Sequence, residues 1–237
     1  MELKNSFDTF VQMVQSPNVT KDDAANYVTS SHGYLWKSDP MRLFAVKWDQ
    51  HNEHAYHYSI NDFQNAEEIT GYDQKENGDI LLFQQENTVI LKPKKGIEIP
   101  PIIEVLNSDK VPTIAITIKG KELVKFFLMC HRKLNNGYEN HNLFTVRMNT
   151  KKESLALMKQ GDVILERSVP MKSDGTSECS IDWYYGLIKD VFTYANGVNA
   201  KVDLFVYQPY YTRFDFGEGL QAVVLHQKET LSLPLNT

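Results

Sequence analysis

Residues 92–112 carry four prolines, in the stretch Lys92-Pro-Lys-Lys-Gly-Ile-Glu-Ile-Pro-Pro101 and again at Pro112. Proline fixes φ, lacks an amide hydrogen and biases the preceding residue toward extended backbone. The segment therefore reads as an extended connector that divides the 237-residue chain into two parts, each long enough for a small domain. We expect domains at 1–91 and 113–228, the connector at 92–112 and a tail at 229–237.

The second part parses cleanly. Thr113–Lys119 alternates as a strand, and Gly120–Asn135 has helical apolar spacing at Leu123, Val124, Phe127, Leu128, His131 and Leu134, closed by Asn136-Gly137. Strands are expected at Asn142–Asn149, Ser154–Lys159, Asp162–Val169 and Glu178–Asp182, then a helix over Trp183–Asn196. Strands at Lys201–Gln208, Tyr211–Phe216 and Gln221–His226 follow, with Gly217-Glu218-Gly219 as a hairpin turn.

The first part repeats the order less cleanly. A helix over Leu3–Gln15 presents Phe7, Phe10, Val11 and Val14 on one side. Strands are expected at Asn26–Thr29, Tyr34–Lys37, Met41–Trp48 and Ala55–Ile60, a short helix at Asn61–Thr70, and strands at Asp79–Gln84 and Thr88–Lys92. The duplication is one of pattern, without a residue-level repeat.

Composition narrows the function classes. Hydrophobic residues make up 42% and charged residues 23%, which excludes disorder and low-complexity fibres. No apolar run approaches the roughly 18 residues needed to span a bilayer. The N-terminus lacks the basic and apolar regions of a signal peptide, so the glycosylation sequon at Asn18-Val19-Thr20 carries no meaning. Two cysteines, Cys130 and Cys179, cannot build a disulfide framework and suit a reducing compartment. The expected setting is soluble and cytoplasmic, without a membrane. Residues 1–95 hold nine Lys/Arg against fourteen Asp/Glu, and residues 96–237 sixteen of each. Bulk positive charge is absent, so any nucleic-acid contact must come from local stripes.

Catalytic signatures are lacking. There is no Gly-x-Ser-x-Gly elbow, phosphate-binding Gly-x-x-x-x-Gly-Lys loop, His-Glu-x-x-His or Cys-x-x-Cys. His51, His54 and His57, near Asp49 and Glu53, have a metal-ligand composition. On a strand, however, residues three apart point to opposite faces, and a polar hairpin tip explains them as well. Cys130 and His131 diverge on a helix, so they are not a catalytic pair. No enzyme activity, metal or cofactor is expected.

Two parts with helices interrupting runs of strands, joined by a Pro-rich connector, resemble a DNA sliding clamp. The length is similar to that of the two-domain trimeric clamps of T-even-type phages. Ser180-Ile-Asp-Trp-Tyr-Tyr-Gly-Leu-Ile-Lys-Asp-Val-Phe-Thr-Tyr-Ala-Asn-Gly197 resembles the segment that opens the last clamp repeat. Lys201–Gln208, Thr212-Arg-Phe-Asp-Phe216 and Leu220-Gln-Ala-Val-Val-Leu225 resemble its closing strands. The likeness covers about 113–227 well and 1–92 loosely.

The resemblance implies an α+β fold of two clamp-like domains, each with antiparallel sheets outside and two helices inside. It further implies a homotrimeric ring around duplex DNA, with a DNA polymerase and a clamp loader as partners, in the host cytoplasm if the protein is viral. The sliding surface would be Lys121, Lys125, Arg132 and Lys133 on the first helix of the second part, with Lys189 on the second. Glu122 flanks the stripe, and a solvent-facing helix side carries such residues in any case. The first part departs from the pattern, with acidic Asp62, Glu67 and Glu68 on its short helix. A partner pocket is implied at Ile102, Ile103, Val105, Leu106, Val223, Val224 and Leu225, and Leu231-Ser-Leu-Pro-Leu235 in the tail looks like a clamp-binding peptide. A clamp-like accessory module for transcription or replication, without ring closure, is the alternative. A metalloenzyme using the histidines is the third reading.

Overall fold

The computed structural model describes residues 2–15, 26–39, 41–49, 54–63, 66, 68–97, 99, 102–107, 109–134, 143–175, 178–184, 186–189, 191 and 201–226. Helix α1 (Glu2–Gln15) buries Phe7, Phe10, Val11 and Val14, the four residues its spacing places on one side, together with Met13. The last carbonyls of a helix lack partners within it. Here the buried Lys37 ammonium donates to the Val14 carbonyl at 2.8 Å.

Strands β1 (Tyr27–Ser31), β2 (Tyr34–Asp39), β3 (Arg42–Lys47) and β4 (Tyr56–Ser59) follow, then β5 (Gly71–Gln74), β6 (Ile80–Phe83) and β7 (Thr88–Leu91). Beyond the connector lie β8 (Ile114–Ile118) and helix α2 (Gly120–Leu134). Next come β9 (Leu143–Asn149), β10 (Ser154–Lys159), β11 (Asp162–Ser168), β12 (Met171–Gly175) and β13 (Glu178–Tyr184). Residues 186–189 and 191 are helical, and β14 (Val202–Tyr207), β15 (Tyr211–Asp215) and β16 (Leu220–Leu225) complete the described chain.

The described strands make three antiparallel sheets, ordered β12-β8-β14-β15-β16-β3-β2-β1-β4, β11-β10-β9-β13 and β5-β6-β7. The first draws on both halves of the chain. They meet where β16 pairs with β3, from Leu220 opposite Val46 to Val224 opposite Arg42.

Strand side chains alternate between faces, and in the large sheet this separates two cores. Phe44, Val46, Leu204, Val206, Phe214 and Val224 join the core that also takes the buried sides of α1, α2 and the helical residues Leu187, Ile188 and Val191. Leu43, Ala45, Tyr207, Tyr211 and Val223 face the other way and are covered by Ile103 and Leu106 of the connector. Arg213 fixes the connector there. Its guanidinium donates to the Leu106 carbonyl at 3.1 Å and lies 4.4 Å from the centre of the Phe205 ring.

Several expectations need correction. The connector is not extended throughout, because Ile102–Asn107 forms a 3-10 turn that seats its two buried side chains. The helix expected at 61–70 is a single 3-10 turn, Ile60–Phe63, which buries Phe63. The helix expected from Trp183 does not include Trp183 and Tyr184, which finish β13 against Phe144 and Leu143; the first described helical residue after them is Gly186. Strands β5 and β12 were not anticipated: Gly-Tyr-Asp-Gln and Met-Lys-Ser-Asp-Gly lack β-branched alternation and are held by pairing to β6 and β8. The closing Asn136-Gly137 and the tail lie outside the described residues, whereas the turn at Gly217-Glu218-Gly219 is present, all three residues having positive φ.

Candidate functional site

Helix α2 carries the basic surface. At about 100° per residue, Leu123, Phe126, Phe127 and Cys130 fall on one side and are buried, while Lys121, Lys125 and Arg132 fall opposite and are exposed, with Lys133 exposed at the flank. The same geometry corrects two apolar assignments. Phe126 belongs to the core, and Leu128 lies inside the basic stripe with 53% of its surface exposed.

Glu122 does not simply dilute the stripe. One of its carboxylate oxygens accepts from Lys125 at 2.9 Å and the other from Arg167 of β11 at 2.7 Å. The Lys125 ammonium, and behind it the Arg167 guanidinium, hold the Glu122 carboxyl below its ordinary range. Arg167 also reaches the Met129 sulfur at 3.3 Å, which orients it along the helix. The patch is therefore five cations on α2 and β11 against one carboxylate. Sequence reasoning missed Arg167, because its strand meets α2 only in the fold. Lys189 is exposed on the other helical segment, behind the buried Leu187, Ile188 and Val191.

The N-terminal half offers no comparable stripe among the described residues. Its Asp62 carboxylate is paired with Lys94 of the connector at 3.3 Å, Glu68 is exposed, and Glu67 lies outside the described residues.

A second site lies where the halves join. A cavity of about 90 Å³ opens between the β2–β3 hairpin, β16 and the connector, lined by Met41, Leu43, Val105, Val223 and Leu225 with Asp39 and Arg42. The two charges neutralise each other: Asp39 Oδ2 accepts from the Arg42 guanidinium at 2.9 Å and 3.0 Å, and Oδ1 accepts from the Met41 and Arg42 amides at 2.9 Å. Both side chains are buried. What remains is an apolar surface with no unmet polar demand, suited to aliphatic side chains of a peptide.

Of the expected pocket residues, Val105, Val223 and Leu225 line this cavity. Ile103 and Leu106 are buried beneath the connector, and Val224 points to the opposite core because neighbours on a strand face opposite ways. The Ile102 side chain lies outside the described residues. The wall from Asp39 to Leu43 was missed, since no local pattern shows that β3 will lie beside β16.

The two described histidines of that group sit in different surroundings. His57 is buried in β4 with Nδ1 2.9 Å from the Thr29 hydroxyl, and burial lowers its pKa; His54 is exposed and His51 lies outside the described residues. Among the described residues no group of three or more His, Cys, Asp or Glu could hold a metal ion. Cys130 and Cys179 are buried free thiols, each pushed up to about 12 by desolvation. No described helix is long and apolar enough to cross a membrane.

No protein-family model matches the sequence, and none of the curated proteins does. Solved structures do match. The DNA polymerase III subunit beta from Pseudomonas aeruginosa superposes with a TM-score of 0.67 at 12% identity over 96% of this chain. The beta subunit from DNA polymerase of Streptococcus pyogenes gives 0.66 at 9% over 97%. A Helicobacter pylori beta clamp bound to a DNA ligase peptide gives 0.58 at 11% over 96%. This chain spans only 65%, 65% and 66% of those chains, respectively. Antiparallel sheets with few helices, in this arrangement, are the sliding-clamp fold.

Proposed function

We propose that this chain is a DNA sliding clamp of two clamp-like domains that closes as a homotrimer around duplex DNA and tethers a polymerase. The observation that carries the reading is the set of strand edges left open by the fold. Four three-stranded meanders recur: β1-β2-β3, β5-β6-β7, β9-β10-β11 and β14-β15-β16. The third strands of the first and last, β3 and β16, pair within the chain. The third strands of the other two, β7 and β11, each end a sheet with no partner among the described residues.

Repeating the β3–β16 junction between copies would pair β7 of one with β11 of the next. Open strand edges invite such pairing, and Ile90 and Val163 on them are 52% and 43% exposed. Six clamp domains then require three copies, consistent with a chain shorter than its bacterial neighbours and close in size to the trimeric phage-type clamps. The helices would line the hole and the sheets form the outside.

In such a ring Lys121, Lys125, Arg132 and Lys133, with Arg167 and Lys189, meet phosphates without reading bases, so binding is independent of sequence and the complex can slide. No bond is made or broken. The N-terminal half adds little attraction, leaving the C-terminal half as the main DNA contact. The apolar cavity between β3, β16 and the connector is the docking site for the polymerase and the clamp loader. A likeness to the beta clamp seen with a DNA ligase peptide supports a peptide occupant.

Light scattering across a concentration series tests the ring. A species near three times 27.3 kDa, reduced to monomer by Ile90→Lys with Val163→Lys, is expected. A monomer at every concentration, with no retention on circular DNA, would overturn it. The surplus of fourteen acidic over nine basic residues in 1–95 favours the second reading, an accessory module that never closes, and the same measurement separates the two.

A further inference from the structure

We infer that the cavity is occupied in the free protein by the chain's own tail, residues 227–237, which a partner peptide must displace. The inference rests on reading the cavity as a docking site, and adds that the protein carries its own competitor for it.

The tail starts at the cavity wall. Leu225 lines the cavity, its amide donates to the Met41 carbonyl at 3.0 Å, and the next amide, His226, donates to the Tyr210 carbonyl at 2.8 Å. Eleven residues, 227–237, lie beyond that point. An extended chain gains at most about 3.6 Å per residue. Leu231, five residues past His226, can therefore travel roughly 18 Å, and the cavity lies well inside that radius.

The chemistry also matches. Leu231, Leu233 and Leu235 alternate with Ser232 and Pro234, so extended backbone puts all three leucines on one face. Pro234 holds the backbone open and has no amide to leave unpaired. From Thr230 to Thr237 the tail carries no charged side chain, which suits a cavity whose Asp39 and Arg42 already satisfy each other. Tethering supplies the rest. A segment tethered a few residues from a site is present at up to about millimolar effective concentration, so modest intrinsic affinity keeps the site filled until a tighter peptide arrives.

The test compares the full chain with a variant lacking 229–237, using two labelled probes: a synthetic peptide of residues 227–237, and a DNA ligase peptide of the kind bound by the Helicobacter pylori clamp. The expected result is that both probes bind the shortened chain at least tenfold more tightly than the full chain, and that Leu225→Arg abolishes both. Methyl NMR of Leu43, Val105, Val223 and Leu225 should shift on deleting the tail. Ligase peptide binding equally to both chains, with methyl signals unchanged by the deletion, overturns the tail proposal while leaving the docking site in place. Failure of both probes to bind the shortened chain overturns the docking site and the proposal with it.

Discussion

The Lys47 amide donates to the Gly219 carbonyl at 2.9 Å, extending the β3–β16 ladder into the turn that closes β16. The approach is so close that a Cβ on Gly219 would collide with the Lys47 Cβ and crowd its backbone, whereas one on Gly217 would meet open space. Both glycines have positive φ, 77° and 82°. Gly217→Ala should therefore cost only backbone strain, about 1 kcal/mol. Gly219→Ala should add a steric cost that no flexible side chain relieves, reaching about 3 kcal/mol. Urea unfolding of the two variants gives the comparison, and equal midpoints would mean that the junction is softer than its geometry.

The Glu122 carboxylate, shared by Lys125 and Arg167, restrains the basic face. Glu122→Gln should tighten binding to linear duplex DNA at low salt. Lys121→Ala with Lys125→Ala and Arg132→Ala should weaken it and shorten processive synthesis with little change in stability. Each phosphate that the variant no longer neutralises lowers the salt slope by about 0.9. An unchanged slope in the triple variant removes these residues from the DNA path.

Burial pushes the His226 pKa down from 6.5 to about 4. Its Nε2 lies 2.7 Å from the Thr212 hydroxyl, and the ring also bonds the Pro209 backbone. The unfolded chain takes up this proton as pH falls below about 6.5, and the folded chain does so only near 4. This contribution to stability is complete above the upper value and is lost as pH falls toward the lower. The loss is on the order of 3 kcal/mol. Denaturation at about pH 7, above that window, and about pH 4.5, near its lower end, should show a smaller drop for His226→Gln than for the parent chain.

Asp39 and Arg42 form a buried pair, and removing one member of such a pair costs about 3–5 kcal/mol. Asp39 also accepts from two backbone amides at the start of β3. Asp39→Ala should therefore be more damaging than Arg42→Met, as read from thermal unfolding. The reverse order would mean that the amides find other acceptors.

Local pattern carried much of the architecture. The buried side of α1 was visible in Phe7, Phe10, Val11 and Val14, and the basic side of α2 in Lys121, Lys125 and Arg132, because helical periodicity is a property of neighbours in the chain. Relations across the fold were not legible. Nothing near Arg42 or Val223 announces that β3 and β16 will lie side by side, so half of the cavity wall was invisible. Arg167 could be known as part of the cationic face only once β11 had been laid against α2. Leu128 and Phe126 exchanged places for a smaller reason, since both are apolar and only the phase of the helix separates them.

The burial of Cys130 and Cys179, with both thiols pushed up to about 12, should leave them slow toward thiol reagents at neutral pH. A new cysteine on the edge of β7 or β11 should then react well ahead of them, without first replacing the native pair. Disulfide trapping or fluorophore labelling could follow subunits joining and parting in the otherwise unaltered chain.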